Sequence, residues 1–300
     1  MTGSNLEITT DAARKFLAWR HSRDEAALAE LMAHRGYQTV LLHSDQLGLN
    51  RLTADDFRNA AAGRPNGLGG VRDLDAHEQA IYDLLADIDA RSESLLALVE
   101  ECLAPVFTPA ERSDIAIHCI IGYDMGIGLS GNVAMNMNGP TYLNDPAEVG
   151  YWMAHEAAHV AYERVHGPLD MRRIREPGGL RRAVCVLIQT EGMSVYAPLA
   201  ARLRAGQLAD RDYRALLDPV ALTAKTAALR NLVASLGVEY PGDDALGPLF
   251  GQLSGERLSY VVGCEIFRRT MEKFGSAGVR AALTDDPEEF VARGLAMLSQ

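Results

Sequence analysis

The sequence predicts an α+β fold, predominantly helical, with a small β-sheet between two helical stretches. Three observations carry this expectation. Apolar residues recur at helical spacing through residues 11–110, as in FLAW, AALAELM and EQAIYDLLADIDARSESLLALVEECL. After Ser113 the pattern changes: IAIHCII runs apolar and NVAMNMN alternates strictly, which sets Val133, Met135 and Met137 on one face of a strand. Helical periodicity then returns in EVGYWMAHEAAHVAYERVHG and holds through most of the remaining chain. The expected organisation is a helical region over 1–112, followed over 113–300 by a mixed region that ends in helices.

Each element has a local reason. Thr53 is suited to cap a helix opening at ADDF, and GRPNGLGG at 63–70 has the turn formers of a linker. Two strands are expected after Ser113, the second ended by Gly139-Pro140. Asp145-Pro146 opens the next helix with proline at its first position, and Gly167 closes it. A further helix is expected from about Gly179 to Tyr196, with Pro198 kinking or ending it, and GERLSYVVGCEIFRRTMEKFG forms a late helix closed by Gly275. Gly126-Ile127-Gly128-Leu129-Ser130-Gly131 matches GxGxxG. A strand pattern follows it, so no helix N-terminus is offered to a pyrophosphate, and a glycine-rich hairpin is the expected structure.

Composition excludes several classes. At 300 residues and 48% apolar content, the chain can bury one large core or two smaller ones. MTGSNLEITTDAARKF lacks the basic and apolar regions of a signal peptide, and charges interrupt the apolar runs, so a soluble cytoplasmic protein without a membrane partner is expected. Cys102, Cys119, Cys185 and Cys264 are widely spaced in apolar surroundings and read as buried thiols. A net charge of −11 repels phosphate backbones, which leaves a peptide or small molecule as the ligand in place of nucleic acid.

His155-Glu156-Ala157-Ala158-His159 is an HExxH pattern. On a helix, positions i and i+4 project from one face, so both imidazoles can share a tetrahedral metal. Glu156 falls on the flank of that face, where it can take a proton from activated water without ligating the metal. With 8 histidines in the chain, about 0.01 chance occurrences are expected, so accident explains little. Trp152 and Tyr162 continue the histidine stripe, which marks a buried helix. Hydrogen-bonded core histidines beside a buried Glu are the bland alternative, and burying three ionisable groups in one turn without a cation is costly.

A catalytic zinc needs a third protein ligand. Tyr162 and Val165 stand where the metzincin pattern requires Gly and His. His166 is a rival ligand, yet it lies about 10 Å along a continuous helix from His159. Glu191 is better placed. It lies in the apolar run AVCVLIQTEGMSVYA, where a carboxylate needs a partner, and Gly192 permits close helix approach. A salt bridge from Glu191 to an arginine is the alternative.

HEAAH, TEGMSVYA and SYVVGCEIFRRTM together resemble the gluzincin-type predicted zinc-dependent proteases, over about residues 113–295. The resemblance implies a zincin-like core with the HExxH helix beneath a small sheet. It also implies Zn2+ held by His155, His159 and Glu191, Glu156 as the catalytic base, and peptide hydrolysis. Beyond it, Tyr260 could donate to an oxyanion, and Asn136 and Asn138, on the polar face of NVAMNMN, could contact a substrate aligned along the strand. Arg172, Arg173, Arg175, Arg181 and Arg182 could bind a substrate carboxylate, although a solvated face is the ordinary reading of such a run. Two rivals share the motif. Two His and one carboxylate also form the Fe2+ triad of non-haem oxygenases, and a catalytically dead zincin scaffold could serve as a binding module, a reading that the retained Glu156 opposes.

Overall fold

The computed structural model describes residues 5–46, 52–64, 66–69, 71 and 73–299. Residues 1–4 of the N-terminal segment, and Pro65 and Gly70 of the expected linker, lie outside the described residues. The protein is predominantly helical α+β and folds as two compact units, Met1–Glu101 with Pro109–Ala161, and Cys102–Thr108 with Tyr162–Gln300.

The first unit holds β1 (Leu6–Thr9), α1 (Asp11–Ser22), α2 (Glu25–Ala33), α3 (Arg35–Gln46), α4 (Ala54–Ala61), α5 (Leu74–Ala90) and most of α6 (Ser92–Leu103). After the single turn α7 (Pro109–Arg112) come β2 (Ile115–Ile120), β3 (Gly126–Leu129), β4 (Asn132–Asn136), the short α8 (Pro140–Asn144) and most of α9 (Glu148–His166). Local chemistry starts these helices. Asp24 Oδ1 accepts the Ala26 N–H at 2.8 Å to cap α2, and the Thr53 N–H donates to Asp56 Oδ2 at 2.8 Å at the head of α4.

The sheet has four strands in the order β1-β2-β4-β3. β1 and β4 flank β2 in parallel, with Ile117 opposite both Ile8 and Val133, and β3 closes onto β4 as an antiparallel hairpin. Two strands were expected, and four are present among the described residues. β1 pairs with a segment more than a hundred residues away, which local periodicity does not reveal. β3 is built from the glycine run itself: Gly126, Gly128 and the turn Ser130-Gly131 form the hairpin, and the turn residues have φ of 50° and 81°. Two consecutive left-handed residues are the type I′ geometry that matches strand twist.

β2 is buried along its whole length, as a central parallel strand covered on both faces should be. Where its ladder stops, the Tyr37 hydroxyl donates to the Ile121 carbonyl and accepts the Ile121 N–H, each at 3.0 Å. The expected polar face of β4 is not solvated. Asn136 and Asn138 are 2% and 4% exposed, because structure covers both faces of this strand.

The second unit is helical: α10 (Gly179–Ala205), α11 (Arg211–Leu217), α12 (Pro219–Ser235), α13 (Leu246–Phe250), α14 (Leu258–Thr284) and α15 (Pro287–Met297). α10 is long and apolar enough to cross a bilayer by length and composition, and 72% of its most apolar window is buried within the protein. Of the two outcomes expected at Pro198, a kink or an end, the end does not occur, and the helix runs on to Ala205. Pro198 and its neighbours Ala197 and Leu199 are buried, and that packing offsets the roughly 3 kcal/mol cost of an interior proline. Gly275 does interrupt α14, with φ 67° and ψ −166°, and the helix resumes beyond it. α10 and α14 touch backbone to backbone: a Cβ on Gly192 would lie 2.5 Å from Gly263 Cα, and one on Gly263 would lie 2.3 Å from the Ile188 carbonyl oxygen. Val195, Leu199, Tyr213, Leu216, Val261 and Cys264 form the adjoining core.

The approach of β3 to α9 is as close. A Cβ on Gly128 would lie 2.1 Å from the Glu156 carbonyl oxygen. Gly128→Ala should therefore destabilise the protein by about 1–3 kcal/mol, read as a lower urea midpoint. Gly247→Ala, with open space around it, is the control. Equal midpoints for the two variants would show that β3 does not press on α9.

Candidate metal centre

α9 buries much of its HExxH turn because small residues surround it. Ala154, Ala157, Ala158 and Ala161 are fully buried, so neighbouring backbone can approach the helix closely. Trp152, His155 and His159 follow one stripe, with successive ring centroids 5.3 and 5.0 Å apart. The two histidine Nε2 atoms stand 3.3 Å from each other. Two nitrogens bound at about 2.05 Å to one tetrahedral zinc are themselves about 3.3 Å apart, so the imidazole pair fits the ion.

Glu156 is 4% exposed and faces β3. A Cβ on Gly126 would lie 2.8 Å from Glu156 Oε1, and one on Gly128 would lie 3.1 Å from His159 Cβ. Glycine at both positions lets the strand lie directly on the HExxH turn. Tyr142 is fully buried nearby, with its hydroxyl donating to the Met125 carbonyl at 3.2 Å. Burial first, and the Glu156 charge next, hold that phenol well above its ordinary pKa, so it remains a neutral donor. β3 pairs with β4 and stands at the end of the sheet order.

Asn136 and Asn138 serve the turns around this strand. Asn136 Oδ1 accepts the Gly122 N–H at 2.8 Å and the Asn138 N–H at 3.1 Å, and Asn138 Oδ1 lies 3.1 Å from His77 Nδ1. Sequence reasoning missed a second polar contact, on the loop before β3. His43 on α3 meets the Tyr123 hydroxyl at 2.9 Å, and burial depresses the His43 pKa, with Asp124 opposing and His159 adding to the effect. The only available sequence signal was Tyr123 between Gly122 and Asp124, a bulky residue in a turn.

In the second unit, Glu191 lies on α10 between Thr190 and the Gly192 contact with α14. Tyr260 is half-buried one turn before Gly263, with the Arg257 guanidinium 3.1 Å above its ring centroid. Arg257 is ion-paired with buried Asp212, its Nε donating at 2.8 Å. Burial works against that cation, but Asp212, then Tyr260 and Glu191, hold its pKa above the ordinary value. His166 is engaged away from the metal centre, its Nε2–H donating to the Leu283 carbonyl at 2.6 Å while the ring stacks on Tyr162.

The arginine cluster forms surface ion pairs. Arg172 meets Asp170 at 2.8 Å, Arg173 Glu176 at 3.2 Å, Arg175 Asp243 at 2.9 Å, Arg181 Glu288 at 3.2 Å and Arg182 Asp286 at 2.7 Å. All four cysteines are free and buried, and burial pushes the Cys119 and Cys185 thiols up to about 12, which makes them inert.

No protein-family model, curated protein or solved structure matches this chain. The reading of the site therefore rests on its geometry and chemistry.

His166→Ala should leave the zinc content of the purified protein unchanged. It should also lower stability by about 0.5–1.5 kcal/mol through the lost hydrogen bond to the Leu283 carbonyl, which Gln189 still reaches at 3.4 Å. Loss of zinc in a folded variant would return His166 to the ligand set.

Proposed function

We propose that this protein is a zinc-dependent metallohydrolase of the gluzincin type, acting on peptides, with His155, His159 and Glu191 as metal ligands. The observation that carries the reading is the pair of Nε2 atoms 3.3 Å apart on the turn that also presents Glu156. The donor set supports it. Among the described residues, His155, His159 and Glu191 are the group of His, Cys, Asp or Glu side chains that could hold one ion. Two imidazoles and one carboxylate leave a position open, as a catalytic zinc requires.

When bound, zinc supplies a Lewis acid that polarises a carbonyl and makes water reactive near neutral pH. The chain's own groups do the rest. Glu156, within one helical turn of both imidazoles, accepts the proton of the attacking water and passes it to the leaving amine nitrogen. Gly126 and Gly128 let the edge strand β3 lie against Glu156, and its backbone can align an extended peptide by strand addition. That strand favours a peptide over a small metabolite. Tyr260 is the second unit's candidate donor to the developing oxyanion. The buried thiols suit a reducing compartment such as the cytoplasm. The same donor set accepts Fe2+, so elemental analysis of protein purified without added metal separates the hydrolase from an iron oxygenase.

Two variants test the assignment. Glu191→Ala should strip most zinc, because two imidazoles alone leave the ion under-coordinated, and full occupancy in that variant would remove Glu191 from the ligands. Glu156→Gln should keep zinc while hydrolysis of a mixed peptide library falls by about 10²–10⁴. Undiminished hydrolysis by zinc-loaded Glu156→Gln would sink the mechanism.

A further inference from the structure

The second unit contains a groove that the proposed activity leaves unused. It lies between α12 and α14, with the tail of α15 as a third wall, and has a volume of about 700 Å³. Every lining residue belongs to that unit, and none is a proposed metal ligand. The volume is within the range of sites that enclose small organic ligands.

The walls differ in chemistry. α12 contributes Leu222 and Ala227, and the tail of α15 contributes Met297 and Leu298, so these two walls offer apolar surface. Thr226 lines the α12 wall as well. This side chain is 8% exposed, and among the described residues nothing hydrogen-bonds its hydroxyl. Such a hydroxyl is available to a ligand oxygen in the groove.

The α14 wall is charged. Glu265, 1% exposed, accepts from Arg268 Nε at 2.6 Å, Arg268 Nη2 at 2.7 Å and Arg269 Nε at 2.8 Å. Both arginines also pair with Glu272, so these two cations and two anions close on themselves. Arg230 and Lys273 are left over. Arg230 Nη2 donates to the Ser299 hydroxyl at 2.7 Å and the Leu295 carbonyl at 3.3 Å, both uncharged, which ties the guanidinium to α15 and leaves its other nitrogens to donate elsewhere. Lys273 meets the Phe274 ring at 5.4 Å and, among the described residues, no carboxylate. With Arg268 included, the groove therefore carries two positive charges in excess, in a chain whose net charge is −11.

That surplus selects its ligand. Two excess cations, with hydrogens to donate from Arg230, Lys273 and Thr226, match a dianion with several acceptor oxygens better than a single carboxylate. A phosphate monoester has both properties, with a charge of about −1.5 to −2 at neutral pH and three terminal oxygens. The apolar walls call for an apolar body on the same molecule.

We propose that this groove is a binding site for a small phosphate monoester with an apolar body, its phosphate held by Arg230, Lys273 and the Thr226 hydroxyl, and its body lying on Leu222, Met297 and Leu298. The proposal is independent of the hydrolase reading, and no bond is made or broken.

The probe is 1-naphthyl phosphate, titrated into the full-length protein by isothermal calorimetry. Saturable one-to-one binding is expected below about 1 mM, weakening as salt is raised. 1-Naphthoate, with the same body and a single charge, should bind about tenfold more weakly. Neither 1-naphthol nor inorganic phosphate, each lacking one half of the ligand, should saturate in that range. Lys273→Gln and Arg230→Gln should each weaken the phosphate ester about tenfold, and the double variant about a hundredfold. Thr226→Val, which keeps the shape and removes the hydroxyl, should weaken it about three- to tenfold. Arg230→Gln also releases the tail of α15, so Lys273→Gln and Thr226→Val, whose polar atoms hold no other residue, keep the test separate from folding. No saturable binding of 1-naphthyl phosphate overturns the proposal, as does binding left unchanged in both of those variants. Naphthoate binding as tight as that of the phosphate ester overturns it too.

Discussion

The constraint on which the first unit depends is the burial of one imidazole and a carboxylate, with a second imidazole half-buried, within about one turn of α9. His155 and Glu156 are 7% and 4% exposed, and their desolvation costs several kcal/mol unless charge and hydrogen bonds compensate. The remaining architecture is arranged around that turn. Alanines at 154, 157, 158 and 161 thin the helix, glycines at 126 and 128 let β3 lie on it, and buried Tyr142 braces the strand from the Met125 carbonyl. A cation shared by the imidazoles is the further compensation that the proposed function would supply.

Close backbone approach through glycine recurs in the second unit. Gly192 and Gly263 let α10 and α14 cross with no side chain between them, next to Glu191 on one helix and one turn from Tyr260 on the other. A site needs its groups held to a fraction of an ångström, and backbone contact between two long buried helices is stiffer than contact through flexible side chains. Arg257, clamped by Asp212 and stacked on Tyr260, extends this rigid patch. The exposed pairs of Arg172, Arg173 and Arg175 contribute little energy by comparison.

The polar groups around β2 and β4 act as struts. Asn136 gathers the Gly122 and Asn138 amides, and Tyr37 closes the end of β2. Together they fix the loop that carries Tyr123 in its left-handed conformation. The left-handed turn at Tyr123 is thus held by a hydrogen-bond framework, which lets the loop keep a geometry its own residues would not choose.

Much of this was legible in the chain itself, wherever the signal is local. The i, i+4 spacing of His155 and His159 determines that both imidazoles leave one face of a helix, and the strand pattern after Gly131 excludes the helix that a nucleotide loop needs, although it does not reveal that the glycine run is itself strand β3. Thr53 starts α4 and Gly275 interrupts α14, as turn and cap chemistry requires. Only the tertiary structure decided the pairing of β1 with β2, the burial of Asn136 and Asn138, the continuation of α10 beyond Pro198 to Ala205, and the meeting of His43 with Tyr123. The physical reason is common to all four. Backbone periodicity and turn preference act over a few residues and are written in the order of the chain, whereas burial and strand pairing depend on segments 80 to more than 100 residues apart, whose packing outweighs local preference.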